Sequence, residues 1–185
     1  EPFKIWLAKV GYERIEETED PEITLDRAME TYLKKGYSTN WINQRLKSIE
    51  VRKELTDEWE ERGIKKGQEY AILTDEITKA WAGLTTKDYK NLKNLKKENL
   101  RDHMTNLELV LNMLAETSTT ELSKKAKPKS FLESKKVAKK GGTVAGNARK
   151  ELEAKLGESI ISPLNAKEIE NKKKNKQIKP DSGSE

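Results

Sequence analysis

The chain of 185 residues has no cysteine and a single histidine, His103. Without cysteine there are no disulfides, no thiol catalysis and no cysteine-ligated metals, as is common in proteins of a reducing compartment. No apolar run approaches the ~18–20 residues that a membrane-spanning helix needs, and no signal-peptide core opens the chain. These absences predict a cytoplasmic protein that does not associate with a membrane.

The sequence also lacks a recognisable catalytic constellation. His103 follows Asp102, but no cysteine, serine elbow or second histidine accompanies it, so we expect it at the surface or at a helix end. The acids are interleaved with lysines, as on solvated helix faces, and "KKGG" and "AGN" lack the glycine spacing of phosphate-binding loops. The sequence predicts a non-enzymatic protein without a metal or other cofactor, and nuclease activity is the least favoured option.

Charge is abundant but unevenly distributed. Charged residues make up 37% of the chain and hydrophobic residues 34%, which favours one modest core. Residues 1–63 carry 11 basic and 15 acidic side chains, whereas residues 64–185 carry 26 and 17. The net positive charge therefore belongs to the second part of the chain.

Apolar residues recur at helical spacing along most of the sequence. The first such segment places four apolar residues on one face, Phe3, Trp6, Leu7 and Val10. Only "EYAIL", residues 69–73, has strand character. The sequence therefore predicts a mainly α fold: a compact helical domain with at most one short strand pair, followed by a basic helix-turn-helix-like segment and a disordered C-terminal tail.

Local signals add detail to this fold. Thr105 with Glu108, and Ser130 with Glu133, have the spacing of helix capping boxes. Arg45 and Arg52 are expected to form ion pairs with Glu50 or Asp57 of the same helix. All four tryptophans fall on apolar faces and are predicted to lie in the core rather than to stack on bases: Trp6, Trp41, Trp59 and Trp81.

A first basic surface is predicted in "KDYKNLKNLKKENLRDHM", residues 87–104. On a helical wheel its leucines gather on one side and its basic residues on the other. The predicted exposed ridge consists of Lys87, Lys90, Lys93, Lys97 and Arg101.

A second basic surface is predicted at residues 131–156, as a helix, a turn at Gly141 and Gly142, and another helix. Lysine is a flexible point charge that suits phosphate contact better than base readout, so both surfaces favour weakly sequence-specific DNA binding. The candidate DNA-binding residues of this segment are Lys135, Lys136, Lys139, Lys140, Arg149 and Lys150.

Three stretches resemble known proteins. "PFKIWLAKVGYERI" resembles the last helix of the BRO-type N-terminal domain of phage antirepressors, and residues 41–59 with residues 69–109 resemble the region that follows it. "KKGGTVAGNARKELEAKLGESIIS" resembles the C-terminal segment of DNA-damage-inducible protein D. The resemblance implies a chain that begins at the last helix of the BRO-type domain and lacks the rest of that domain.

The expected organisation has four parts. Residues 1–17 form the final helix of a BRO-type domain, residues 18–122 a helical core, residues 123–162 the basic segment with the Gly-Gly turn, and residues 163–185 a disordered charged tail.

The resemblance and the charge pattern together predict a prophage-type regulator connected with the repressor or DNA-damage response. It would bind DNA through the two basic surfaces. In the alternative, the helical core binds a repressor or a DNA-repair protein, and the lysines only solubilise or steer it. The sequence leaves the oligomeric state open.

Overall fold

A computed structural model describes residues 1–20 and 22–169 of the chain, and within these residues the structure is helical without a β-strand. The predicted mainly α fold is confirmed, whereas the strand expected at residues 69–73 is wrong because those residues lie in the fourth helix. The helices are α1 (Pro2–Glu19), α2 (Glu22–Lys34), α3 (Thr39–Glu61), α4 (Gln68–Ala82), α5 (Thr86–Leu92), a 3₁₀ helix (Leu100–His103), α6 (Asn106–Ala126) and α7 (Phe131–Leu156).

The chain divides into two compact units, Glu1–Ile42 and Asn43–Glu185. In the first unit, ion pairs join α1 to α2, because Arg27 lies 2.8 Å from Glu17 and 3.5 Å from Glu13. The apolar side chains of α1 remain largely exposed, and Trp6 is 56% exposed. The prediction that Trp6 lies in the core is wrong. The face that carries Phe3, Trp6 and Val10 stays exposed, and further exposed apolar residues, Ile5 and Ile15, lie on the other side of the helix.

The second unit contains a continuous core built around α7, which packs along both α4 and α6. Trp81 of α4 is fully buried, as is Leu55 of α3. Trp59 is buried beside Tyr70, with the two ring centroids 5.2 Å apart in an edge-on arrangement. Trp41, at the end of the first unit, is also buried. The core prediction is therefore confirmed for three of the four tryptophans.

The helix α7 runs without interruption through Gly141 and Gly142, so the predicted helix-turn-helix is wrong. Both glycines are buried, as is Gly146. A Cβ atom at Gly141 would lie 2.5 Å from Cα of Thr119 on α6, and one at Gly142 would lie 2.6 Å from the carbonyl oxygen of Ile77 on α4. The glycines allow close approach of three helix backbones rather than ending a helix.

The basic stretch at residues 87–104 is not one helix either. Thr85 caps α5, its hydroxyl accepting a hydrogen bond from the Asp88 N–H (3.0 Å), but α5 ends at Leu92. Asn94 has a φ of 55°, a left-handed conformation that a continuing α-helix does not allow. The chain turns there and resumes as the short 3₁₀ helix, so the predicted ridge is divided.

The described residues that follow α7, up to residue 169, are packed, so no tail begins at residue 163. Ile160 and Ala166 are buried, and the carbonyl oxygens of Ser162 and Leu164 accept hydrogen bonds from Lys93 at 2.8 and 2.9 Å. The beginning of the predicted disordered tail is therefore wrong for residues 163–169. The rest of that prediction falls on residues 170–185, which lie outside the described residues.

We predict that Gly142→Ala destabilises the protein by about 1–3 kcal/mol, because the added methyl group meets the Ile77 carbonyl. Urea unfolding followed by circular dichroism measures the change. The matched control is Gly11→Ala, at a helical position of α1 with no atom within 4 Å of the new Cβ. This control should be neutral or stabilising, because alanine favours helix over glycine. Equal stabilisation by both substitutions would show that α7 does not approach α4 this closely.

Candidate nucleic-acid interface

The exposed face of α7 carries a stripe of four lysines, Lys136, Lys139, Lys140 and Lys150. The helix is continuous, so these residues fall within about 100° of one another around its axis. The rise of 1.5 Å per residue spreads them over roughly 21 Å. Thr143 lies between them and is also exposed. We call this set of four lysines the α7 stripe.

The α7 stripe lies in a segment without acidic residues. Residues 134–150 contain no aspartate or glutamate. Among the residues that the structure describes, none of the four stripe lysines forms an ion pair within 4.0 Å. Their positive charges are therefore uncompensated at close range and can attract an anionic partner.

The other two basic residues predicted on this helix are already engaged. Lys135 lies 3.1 Å from the carboxylate of Glu76 on α4. Arg149 donates from Nε to the carbonyl oxygen of Trp81 at 2.8 Å and from Nη1 to Glu153 at 2.9 Å. The guanidinium of Arg149 thus fastens α7 to the end of α4, and it is not free to read a base edge.

The predicted ridge at residues 87–101 does not form one surface. Lys87 and Lys97 are exposed and Lys90 is partly buried. Arg101 turns inward and donates a short hydrogen bond to the buried carboxylate of Glu116 on α6. Lys90, Lys97 and Arg101 line a polar cavity, and Lys87 lines the groove next to it.

Lys93 lies inside the protein, in a buried ion pair with Glu108 at 2.9 Å. Glu108 also accepts hydrogen bonds from the N–H groups of Thr105 (2.7 Å) and Ser162 (3.0 Å). Thr105 and Glu108 thereby complete the predicted capping box of α6. Burial lowers the pKa of Lys93 and the charge of Glu108 opposes that shift. Lys93 therefore joins α5, α6 and the segment after α7, and it cannot reach DNA in this structure.

The polar residues on the inner face of α6 were not identified as functional from the sequence. Glu108, Asn112 and Glu116 are spaced four residues apart and are all nearly inaccessible to solvent. This spacing puts them on one helix face, beside the apolar Leu111 and Ala115. The sequence signal that could have identified them is the recurrence of polar residues every four positions on a face that also carries apolar residues.

Arg52 also has a partner that was not predicted. Its guanidinium donates to Glu116 (3.3 Å) and to the hydroxyl of Thr74 (2.7 Å), rather than to an acid of its own helix. Burial lowers the pKa of Arg52, with Glu116 opposing and Arg101 reinforcing that shift. Two guanidinium groups thus share one carboxylate in the interior, which leaves an excess of positive charge there.

His103 ends the 3₁₀ helix, where it is partly buried. No group of three or more histidine, aspartate or glutamate side chains suited to a metal ion occurs within residues 1–20 and 22–169. None of the helices described for this chain has the length and apolarity needed to cross a membrane.

We predict that Lys93→Met lowers the free energy of unfolding by about 3–5 kcal/mol, because it leaves the Glu108 carboxylate buried without its charged partner. Urea unfolding provides the measurement. Lys87→Met, at an exposed position of the same stretch, should change stability by no more than about 0.5 kcal/mol. Similar small effects from both substitutions would contradict the structural role of Lys93.

Comparisons with known proteins give one match. No curated protein and no solved structure matches the chain. The model of one protein family, described as the DinD C-terminal domain, matches residues 33–178. The match covers most of the chain, including α3 to α7, and it confirms the resemblance to DNA-damage-inducible protein D. The chain belongs to the family of the DinD C-terminal domain.

Proposed function

We propose that this chain is a non-enzymatic regulator of the DNA-damage response that binds DNA through the α7 stripe. One observation carries the proposal: four exposed lysines share one face of a helix segment that has no acidic residue. Lysine side chains at this spacing meet the phosphates of a nucleic-acid backbone, and each contact releases condensed counterions.

The geometry favours phosphate contact over base recognition. Both arginines of the two predicted basic surfaces are held inside the protein, Arg101 by Glu116 and Arg149 by Trp81 and Glu153. The fork-shaped guanidinium groups that read guanine edges are thus unavailable, while the lysines remain exposed. Binding should therefore depend strongly on salt and weakly on sequence.

The test compares salt dependence for the parent protein and a stripe variant, Lys136→Gln/Lys139→Gln/Lys140→Gln. Glutamine keeps the helix propensity nearly constant while removing three charges. If all three lysines contact phosphates, the slope of log affinity against log salt should flatten by roughly 2–3 units. Fluorescence anisotropy with a labelled duplex of arbitrary sequence measures the slope.

A control variant distinguishes the loss of phosphate contacts at the α7 stripe from the general effect of a lower net charge. Lys53→Gln/Lys65→Gln/Lys66→Gln removes the same number of charges from exposed positions outside α7. The control should change the slope by less than about 1 unit. Equal slopes for the stripe and control variants, with unchanged circular dichroism, would refute binding through the α7 stripe.

A second candidate function is docking on a repressor or a DNA-repair protein. The observation that favours it is the apolar surface of α1, where Phe3 and Trp6 are more than half exposed. Large exposed apolar side chains in a cluster commonly mark a protein contact. Under this alternative the α7 stripe would only steer association. Substituting Phe3 and Trp6 with serine would then abolish capture of the partner without changing the salt slope for DNA.

A further inference from the structure

A polar cavity of about 300 Å³ lies between α4, the turn after α5 and α6. Its walls include the hydroxyl residues Thr74, Thr78 and Thr86 together with Lys90, Lys97 and Arg101. An adjoining groove of about 1030 Å³ shares Thr74, Thr86 and Lys90 with the cavity. The groove adds the less polar side chains of Tyr70, Ile72 and Leu95. A polar compartment is therefore joined to a more apolar one.

The polar cavity has an excess of positive charge. Lys90, Lys97 and Arg101 line it, and Glu98 is the acid that opposes them. The Glu98 carboxylate is engaged in accepting a hydrogen bond from the N–H of Lys96 at 2.7 Å. Glu116, which pairs with Arg101, is not among the lining residues. The lining residues therefore carry three positive charges and one negative charge, which favours binding of an anion.

Three residues that line the cavity carry buried polar atoms without a hydrogen-bond partner. These atoms are Nδ2 of Asn112, Nε of Arg101 and Oγ1 of Thr86. Oε2 of Glu116, the acid that pairs with Arg101, also has no partner but does not line the cavity. Asn112 is only 2% exposed. Buried polar groups are nearly always hydrogen-bonded, so the three donors that line this cavity can serve a ligand that brings acceptor oxygens. All three groups can donate a hydrogen bond.

We propose that this cavity and its adjoining groove bind a nucleoside monophosphate or a similar phosphate monoester. The phosphate would lie in the polar cavity, where Asn112, Arg101 and Thr86 can donate to its oxygens and the two lysines neutralise its charge. The organic part would occupy the groove, where the ring of Tyr70 and the side chains of Ile72 and Leu95 provide apolar contact.

This site is separate from the proposed DNA interface. None of the α7 stripe lysines lines the cavity or the groove. The stripe variant should therefore keep nucleotide binding, and a variant of the cavity should keep the salt slope for DNA. Either proposal can consequently fail without affecting the other.

The experiment is isothermal titration calorimetry of the full chain with each of the four ribonucleoside 5′-monophosphates, with the matching nucleosides and with inorganic phosphate. At least one monophosphate should bind saturably, and inorganic phosphate should compete with it. The nucleosides should bind much more weakly, because they lack the group that the cavity recognises.

The variant that tests the site most directly is Asn112→Leu, which has a similar shape and removes the unpartnered amide. Replacing an unsatisfied buried polar group by an apolar one costs little stability, so the fold should persist. The dissociation constant should rise about tenfold or more, since a hydrogen bond to a charged group is lost. Lys97→Gln, at an exposed position, should weaken binding several-fold, whereas the control Lys79→Gln on the outside of α4 should not.

Three outcomes would overturn the proposal. One is the absence of saturable binding for every monophosphate and for inorganic phosphate. Another is a nucleoside that binds as tightly as its monophosphate, which would rule out recognition through phosphate. The third is a folded Asn112→Leu protein with the affinity of the parent, which would place the ligand elsewhere.

Discussion

The second unit of this protein depends on the absence of side chains at three positions of α7. Gly141, Gly142 and Gly146 let the backbones of α4 and α6 approach α7 more closely than any other residue would permit. Glycine in a helix interior costs up to about 1 kcal/mol relative to alanine, and here close packing along the two neighbouring helices offsets that cost. The contact fixes the rotation of α7, so its opposite face, which carries the lysines, is presented to solvent.

The inner face of α6 imposes the second constraint, because it brings polar groups into the interior. A buried charge is tolerated only when it is paired and hydrogen-bonded. Glu108 meets this requirement through Lys93 and two backbone N–H groups. Glu116 is paired with Arg52 and Arg101 through Oε1, whereas its Oε2 has no hydrogen-bond partner. Asn112, between them on the same face, has an unpartnered amide nitrogen. Of these three residues, only Asn112 lines the candidate binding cavity.

Sequence patterns predicted what is decided locally and missed what depends on distant partners. The helical fold and the caps at Thr105 and Ser130 were predicted correctly because periodicity and capping act within a few residues. The prediction that Lys93 is exposed was wrong because its partner Glu108 lies on another helix. A helical wheel also assumes a continuous helix, whereas the chain turns at Asn94. The prediction of a turn at Gly141 was wrong because the residue that requires a glycine there, Thr119, is distant in sequence. Charge asymmetry located the α7 stripe but not the polar cavity.

The continuity of α7 is the claim on which the interface and the core packing both rest, and a distance between two spin labels measures it directly. The chain has no cysteine, so labels can be attached at Leu132→Cys and Leu156→Cys, two exposed positions near the ends of α7. An uninterrupted helix places their Cα atoms about 36 Å apart at 1.5 Å per residue. Double electron–electron resonance should give a single narrow distribution consistent with that separation. A markedly shorter distance would mean that the chain turns at Gly141 and Gly142, and it would contradict the account.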